Sequence, residues 1–441
     1  MRKIPHLQTL IFLFAANIVS GFSQGVTMLA IPWYLVQAPD GKFQNAMMVS
    51  IVTLASLFWG IYAGTLIDKY NRKRIFQTVT GVDAGVLLTV ASVGIYLGYM
   101  PFPLVVLVFT ATIFTYNVHY PNLYAFVQEL FDKSYYAKVN SALEIQGQTT
   151  NFIGMMLAGL LLGGTPEWSW WPEAWTITPW KLQEIFLLDG STYILGFILI
   201  SLIPYSAKTR GKIDKGSMVQ RIVQGFYYLG KRREILIFGI ASYVVFFSLL
   251  IMVQVAAPVY VNDYLKEKAI VLSSFKGIYA LGAITAGLLG LAAFIRKDRP
   301  VQLIIFLEVL AVATYLLLAG MQSVAVLLMS AYILGISNAG VRILRITYLV
   351  RIVPNRVIGR VNSFFNVINV LMRVSFSALL AIPFFSQSGN GGNIIYAMYM
   401  MAGIIAVAAI LLYIMRDRFP QEPEEDETPL PEVPPAVPVK A

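Results

Sequence analysis

The sequence contains no cysteine and only two histidines, His6 and His119. Disulfides, thiolate metal sites and cysteine nucleophiles are therefore excluded, and a histidine-based metal centre has little to build on. Charge is equally scarce. Asp, Glu, Lys and Arg make up 13% of 441 residues, against roughly 25% in soluble domains. A water-facing surface cannot be assembled from so few charges, so most of the outer surface must face lipid. That excludes a disordered chain and argues against a soluble enzyme. Catalytic signatures are missing too: there is no Gly-x-Ser-x-Gly elbow, no zinc-ligand histidine pair and no phosphate-binding Gly-Lys-Ser/Thr loop. No cofactor is expected, and direct ATP drive has no support.

What the chain does hold is apolar residues, 57% of the total. A bilayer core about 30 Å thick takes roughly 20 of them in a helix. Such runs lie near 7–36, 46–67, 75–99, 103–128, 137–163 and 184–204, then near 235–261, 269–295, 301–320, 322–350, 357–384 and 392–415. The expected fold is all-α integral membrane, with twelve transmembrane helices in two groups of six; continuous apolar runs exclude a transmembrane β-barrel. Residues 1–205 form a first bundle and 235–416 a second. Residues 206–234 make a basic linker, amphipathic around 218–229 and suited to the inner leaflet. The acidic, proline-rich tail 417–441 is too polar to pack. Arg2 and Lys3 precede the first run, which is too long for a signal peptide and reads as a retained helix.

The net charge of +10 reflects placement. Of the 33 Lys and Arg residues, 25 fall in alternate connections, whereas Lys42, Lys181, Lys266 and Lys268 lie on the opposite side. This asymmetry places both termini in the cytoplasm, with the chain in an inner (plasma) membrane, and removes nucleic acid as a partner. Five of the seven tryptophans sit within residues 165–180, on the cation-poor side, as an interfacial belt; a substrate lid is the sharper reading of the same loop.

The halves echo each other. Val139-Asn140-Ser141 and Val361-Asn362-Ser363 are 222 residues apart, an offset that also pairs Gly60 with Gly282 and Arg74 with Arg296. Two parallel six-span halves suit a pair of bundles rocking about a central site. The loop after the second span reads Gly64-Thr-Leu-Ile-Asp68-Lys-Tyr-Asn71-Arg72-Lys73-Arg74. It resembles the signature of the major facilitator superfamily, Gly-x-x-x-Asp-x-x-Gly-Arg-Arg/Lys-x-Arg/Lys. In it Gly64 is expected to let a neighbouring helix approach closely and Asp68 to accept bonds from a facing helix N-terminus. Asn71 would take the left-handed turn where the family has glycine, and Arg72, Lys73 and Arg74 hold the loop inside. Asn355-Arg356-x-x-Gly359-Arg360-Val361 is similar to the family's loop ahead of span eleven. His119-x-Pro121 and the Val-Asn-Ser opening of span five resemble the macrolide- and siderophore-exporter branch. Two departures stand against simple drug/proton antiport: residues 109–114 lack the arginine of proton-coupled members, and 151–156 lack the proline of the antiporter motif.

The resemblance implies a secondary transporter working by alternating access. It would be a monomer that exports a small amphipathic organic compound, with protons as the coupling ion and membrane lipids around it. It also implies that spans one, four, seven and ten line a central cavity. The candidate substrate residues are then Asn17 and Gln24, Tyr116, Asn117 and Tyr120, Phe247 and Gln254, and Asn338, Arg342 and Arg345. Arg342 and Arg345, three apart, share a helix face and would favour carboxylate, phosphate or catecholate oxygens; snorkelling towards the interface is the plainer reading. Charges within spans need a partner or a task. Asp83, Glu144, Asp189, Glu308 and Arg373 are therefore candidates for coupling or gating, with Glu144 pairing a second-half arginine as a gate. The buried carboxyls Asp83, Asp189 and Glu308 are better proton carriers than His119, which is expected to pack beside Pro121. Two other readings compete: a lipid or lysolipid transporter, and a receptor-like or assembly subunit whose cavity would be filled by side chains.

Overall fold

A chain in lipid must satisfy its backbone polar groups internally, so each apolar run folds as one continuous helix. The computed structural model describes residues 7–130, 136–165, 176–204, 218–289, 300–386 and 393–420, and these are helical with no strand. The first half comprises α1 (Leu7–Gln37), α2 (Gly41–Lys69), α3 (Arg72–Leu97), α4 (Phe102–Leu130), α5 (Tyr136–Gly163) and α6 (Leu182–Ser201). A connecting helix α7 (Met218–Lys231) follows. The second half comprises α8 (Arg233–Ile251), α9 (Ala269–Leu289), α10 (Pro300–Gly320), α11 (Val324–Ile352), α12 (Asn355–Leu380) and α13 (Ile394–Met415). Helix α8 continues through two π-helical turns, Met252–Ala256 and Tyr260–Tyr264. Eleven of the twelve long helices are apolar enough to cross a bilayer. The twelfth, α5, is 28 residues long; its polar stretch Gln146, Gln148, Thr149, Thr150 and Asn151 lowers its hydropathy.

The two halves are built alike. In the first, α1 packs on α5, and α3 on α4 and α6; in the second, α8 packs on α12, and α10 on α11 and α13. The halves meet where α5 touches α9 and where α2 touches α12. A pseudo-twofold axis that exchanges the halves exchanges these two contacts. Small residues set the tightest crossings, as expected where lipid supplies no hydrophobic drive between helices. Gly25 of α1 lies against the Asn151 carbonyl of α5, and Gly282 of α9 lies against the Tyr332 carbonyl of α11. Large apolar side chains such as Phe58, Tyr62, Leu288 and Ile414 point outward, where the lipid tails would lie.

Helix α7 carries the amphipathic run read from the sequence. It packs on α12, with Gly225 against the Arg360 carbonyl and Tyr228 and Leu229 buried. Beyond α13 the chain stays packed through Pro420, further than its composition indicates. Phe419 is buried against the Phe238 ring, and the Tyr348 hydroxyl donates to the Pro420 carbonyl at 2.7 Å. In the tryptophan loop, Trp168, Trp170, Trp171 and Trp175 fall outside the described residues; Trp180 is exposed.

Candidate functional site

A cavity of about 380 Å³ lies between the halves. Helical periodicity aims α4 at it: Phe109, Ile113, Tyr116, Asn117 and Tyr120 form one stripe. Gln24 and Met28 of α1, one turn apart, line it as well, as do Gln148, Asn151 and Met155 of α5. The second half contributes Phe246, Gln254, Lys276 and Arg373. Aromatic rings and amides therefore wall the cavity, it holds two cationic side chains, and among the described residues no Asp or Glu lines it.

Of the residues expected to bind substrate, Gln24, Tyr116, Asn117, Tyr120 and Gln254 line this cavity. Arg373, expected as a gate, instead lines the cavity, with its Nε free of any hydrogen-bond partner. Lys276 is buried in the middle of α9 and was not legible as a site residue, although a lone lysine seven residues into an apolar span was signal enough. The expected contribution of span ten does not occur. Helix α11 is drawn tightly against α9, with Gly335 against the Tyr279 carbonyl, and α9 presents Lys276 in its place. Asn338 donates to the Tyr279 hydroxyl at 2.9 Å, a bond between α11 and α9. Arg345 is buried, bonds the Ser242 carbonyl of α8 at 2.9 Å and stacks 3.5 Å above the Tyr243 ring, whereas Arg342 is exposed beside Tyr279. The two arginines thus have separate surroundings, and neither reaches the cavity. Asn17 and Phe247 are likewise structural. Asn17 binds Gln146 Oε1 at 3.0 Å and the Leu143 carbonyl at 3.3 Å, and Phe247 packs edge-on to Phe376.

Ties between the halves surround the cavity on the side away from the chain termini. Lys42, at the start of α2, pairs with Asp263 at 2.7 Å. Asn45 Nδ2 donates to the Gln254 carbonyl at 3.0 Å, and Ser377 Oγ of α12 to the Ala46 carbonyl at 2.8 Å. Lys276 Nζ donates to the Met28 carbonyl of α1 at 2.9 Å. The Met28 acceptor is free for a definite reason: proline has no N–H to give the carbonyl four residues before it, and Pro32 stands four residues after Met28 in α1. Gln254 and Asp263 also lie in the two π-helical turns of α8, the kind of local irregularity that gathers at functional sites.

The signature loop departs from its expected geometry at two positions. Among the described residues nothing lies within 4 Å of a Cβ built on Gly64, because the α2–α12 contacts through Ala46 and Ser50 are at the other end of α2. Asn71 has φ −60 and ψ 128, extended rather than left-handed; it caps α3, with its side chain accepting from the Arg74 N–H at 3.1 Å. Arg72 bonds the Ile67 carbonyl and pairs with Glu129 at 3.4 Å. Lys73 bonds the carbonyls of Ser201 and Ile203, both at 2.8 Å, at the end of α6, where a cation suits the helix dipole. Arg74 is exposed. The side chains of Asp68 and Glu144 lie outside the described residues. Asp189 is buried in α6 and accepts from Ser23 and Thr27 of α1, and Asp83 is buried in α3. Glu308 is buried in α10 with neither oxygen bonded. His119 is packed against Phe76 and Tyr120, as expected.

A family model described as Major Facilitator Superfamily matches residues 13–377. No curated protein matches the chain by sequence. Among solved structures, the nucleoside transporter NupG superposes with a TM-score of 0.71 at 14% identity, covering 93% of this chain and 99% of that one. A bacterial homologue of the human lysosomal transporter Spinster, inward-facing and unoccupied, gives 0.68 at 13% identity over 97% and 100%. A bacterial homologue of the iron transporter ferroportin, inward-facing, gives 0.66 at 14% identity over 92% and 98%. These likenesses concern the fold.

Proposed function

The chain belongs to the major facilitator superfamily, and from that premise we propose that it is a secondary transporter that moves an amphipathic organic anion by alternating access. The observation that carries this reading is that Lys276 and Arg373 both line one cavity, to which the described residues contribute no carboxylate. Two desolvated cations invite carboxylate, phosphate or catecholate oxygens. The rings of Tyr116, Tyr120 and Phe246 suit the apolar body of such a compound. A pocket of 380 Å³ falls in the size range of small-molecule sites and favours transport over a receptor-like subunit with a filled core. Both halves of the pocket come from one chain, so a monomer suffices.

With both termini cytoplasmic in the inner membrane, as the placement of Lys and Arg supports, the tied end faces outward and this conformation is inward-facing. The resemblance of His119-x-Pro121 and of the Val-Asn-Ser opening of α5 to exporters favours efflux, driven by an ion gradient. The test is flux in proteoliposomes under an imposed pH gradient, comparing catecholate siderophores and aryl carboxylates with neutral macrolides and lysolipids. The anions are expected to move. Lys276→Met and Arg373→Met should each weaken their apparent affinity roughly 10- to 100-fold, the value of one charge-assisted hydrogen bond. Transport of neutral compounds alone, indifferent to both substitutions, would overturn the reading.

A further inference from the structure

Two buried carboxyls lie within electrostatic reach of each other inside the first half, away from the cavity wall. Asp189 of α6 accepts from Ser23 and from Thr27, which are one turn apart on α1, and Thr192 Oγ1 bonds its main-chain carbonyl at 2.7 Å. Asp83 of α3 is 2% exposed and stands within electrostatic reach of Asp189. It faces the hydroxyls of Thr115 and Tyr193, yet neither of its oxygens has a hydrogen bond of normal geometry. A carboxyl without a well-formed hydrogen bond, within electrostatic reach of a second one in a dry interior, carries a charge cost that a proton removes.

The surroundings decide what that is. A second, much smaller cavity of about 10 Å³ is lined by Thr115, Tyr193, Ser20, Thr112 and His119. It shares Gln24, Tyr116 and Tyr120 with the large cavity. Its volume is close to that of a single water site. The way from the central cavity to Asp83 therefore runs over tyrosine and threonine hydroxyls and room for about one water. Hydroxyls and a water pass a proton, whereas an alkali cation would need a continuous file of oxygens wide enough to carry it. The ionisable groups facing the pair are Tyr193 on α6 and, across the small cavity, His119, Tyr116 and Tyr120 on α4; among the described residues no lysine or arginine lines that cavity.

We propose that Asp83 and Asp189 form a proton-carrying carboxyl pair, loaded from the central cavity through Tyr193. In the loading step the Tyr193 hydroxyl gives its proton to an Asp83 oxygen and takes one from the water beside it, which draws a proton from the cavity. The tyrosine ends unchanged and the pair ends with one more proton. Glu308, equally buried but in the other half, lines neither of the two cavities. The inference rests on the transporter reading for its role in coupling, and its test does not require transport.

The test is infrared difference spectroscopy, acid minus alkaline, of the full-length protein in lipid nanodiscs. A protonated-carboxyl band is expected that Asp83→Asn and Asp189→Asn each remove and that Glu308→Gln leaves in place. Tyr193→Phe should keep the band and slow its exchange into D₂O about a hundredfold, the lower end of what a positioned acid–base group contributes. Survival of the same band in both asparagine variants would overturn the assignment. So would exchange at the native rate in Tyr193→Phe, or displacement of the band by sodium chloride at constant pH, which would make the pair a cation site. A chain that moves organic anions without this band keeps the transporter reading and loses only the proton pair.

Discussion

Lys276 Nζ of the second half donates to the Met28 carbonyl of the first at 2.9 Å, and that carbonyl is free because Pro32 cannot bond it. The same lysine lines the central cavity. An anion arriving there competes with a backbone carbonyl for one ammonium group, so occupancy of the site and the tie between the halves draw on the same donor. Asn45 makes a second such tie, to the Gln254 carbonyl in a π-helical turn of the other half.

Pro32→Ala returns an N–H to α1 opposite the Met28 carbonyl and makes Lys276 compete for it. The tie should weaken by about 1 kcal/mol, the net value of one hydrogen bond, which is roughly a fivefold shift in population. Because the chain has no cysteine, Thr53→Cys in the cavity wall is a clean reporter. Its labelling from the side away from the termini is expected to rise about fivefold in Pro32→Ala. An unchanged rate would mean that the freed carbonyl does not control closure.

The close crossing of α1 and α5 gives a stability prediction. A Cβ at Gly25 would press on the Asn151 backbone, whereas nothing lies near a Cβ at Gly60. Gly25→Ala should cost about 1–3 kcal/mol by overpacking. Gly60→Ala should be neutral or gain up to about 1 kcal/mol from helix propensity. Thermal unfolding in one detergent compares the two, and equal melting temperatures would refute the packing described.

Asn71 gives a third. As the cap of α3 it should tolerate Asn71→Asp, while Asn71→Ala loses about 1 kcal/mol. Had the residue been left-handed, Asn71→Gly would stabilise the loop; with φ −60 that change should bring no gain. Melting temperatures of the three variants separate the geometries.

The helices were legible because bilayer thickness imposes a length on every apolar run, and all twelve lie where the runs do. The rotation of each helix about its own axis was less so. Lipid is as apolar as a protein interior, so periodicity does not separate the lipid-facing side of a span from the packed one. That is why Arg345 and Asn338 read as cavity residues when they join helices, and why Phe247 was chosen over its neighbour Phe246. Lys276 stood out as a lone lysine in an apolar run, but the direction it takes around its helix did not. The Lys42–Asp263 pair had no local signature, since its partners lie in different halves and meet only in the folded chain. Pro32 was in plain view, but what a freed carbonyl bonds depends on what is packed beside it.

The central claim is that the halves separate at the Lys42–Asp263 end during each cycle. A Lys42→Cys/Asp263→Cys double variant in proteoliposomes, joined by a short bis-thiosulfonate linker, tests it most directly. Flux of an aryl carboxylate or catecholate under a pH gradient should stop when the linker is in place and return when it is reduced away. Flux that continues at the unlinked rate with the linker shown to be formed would contradict the account.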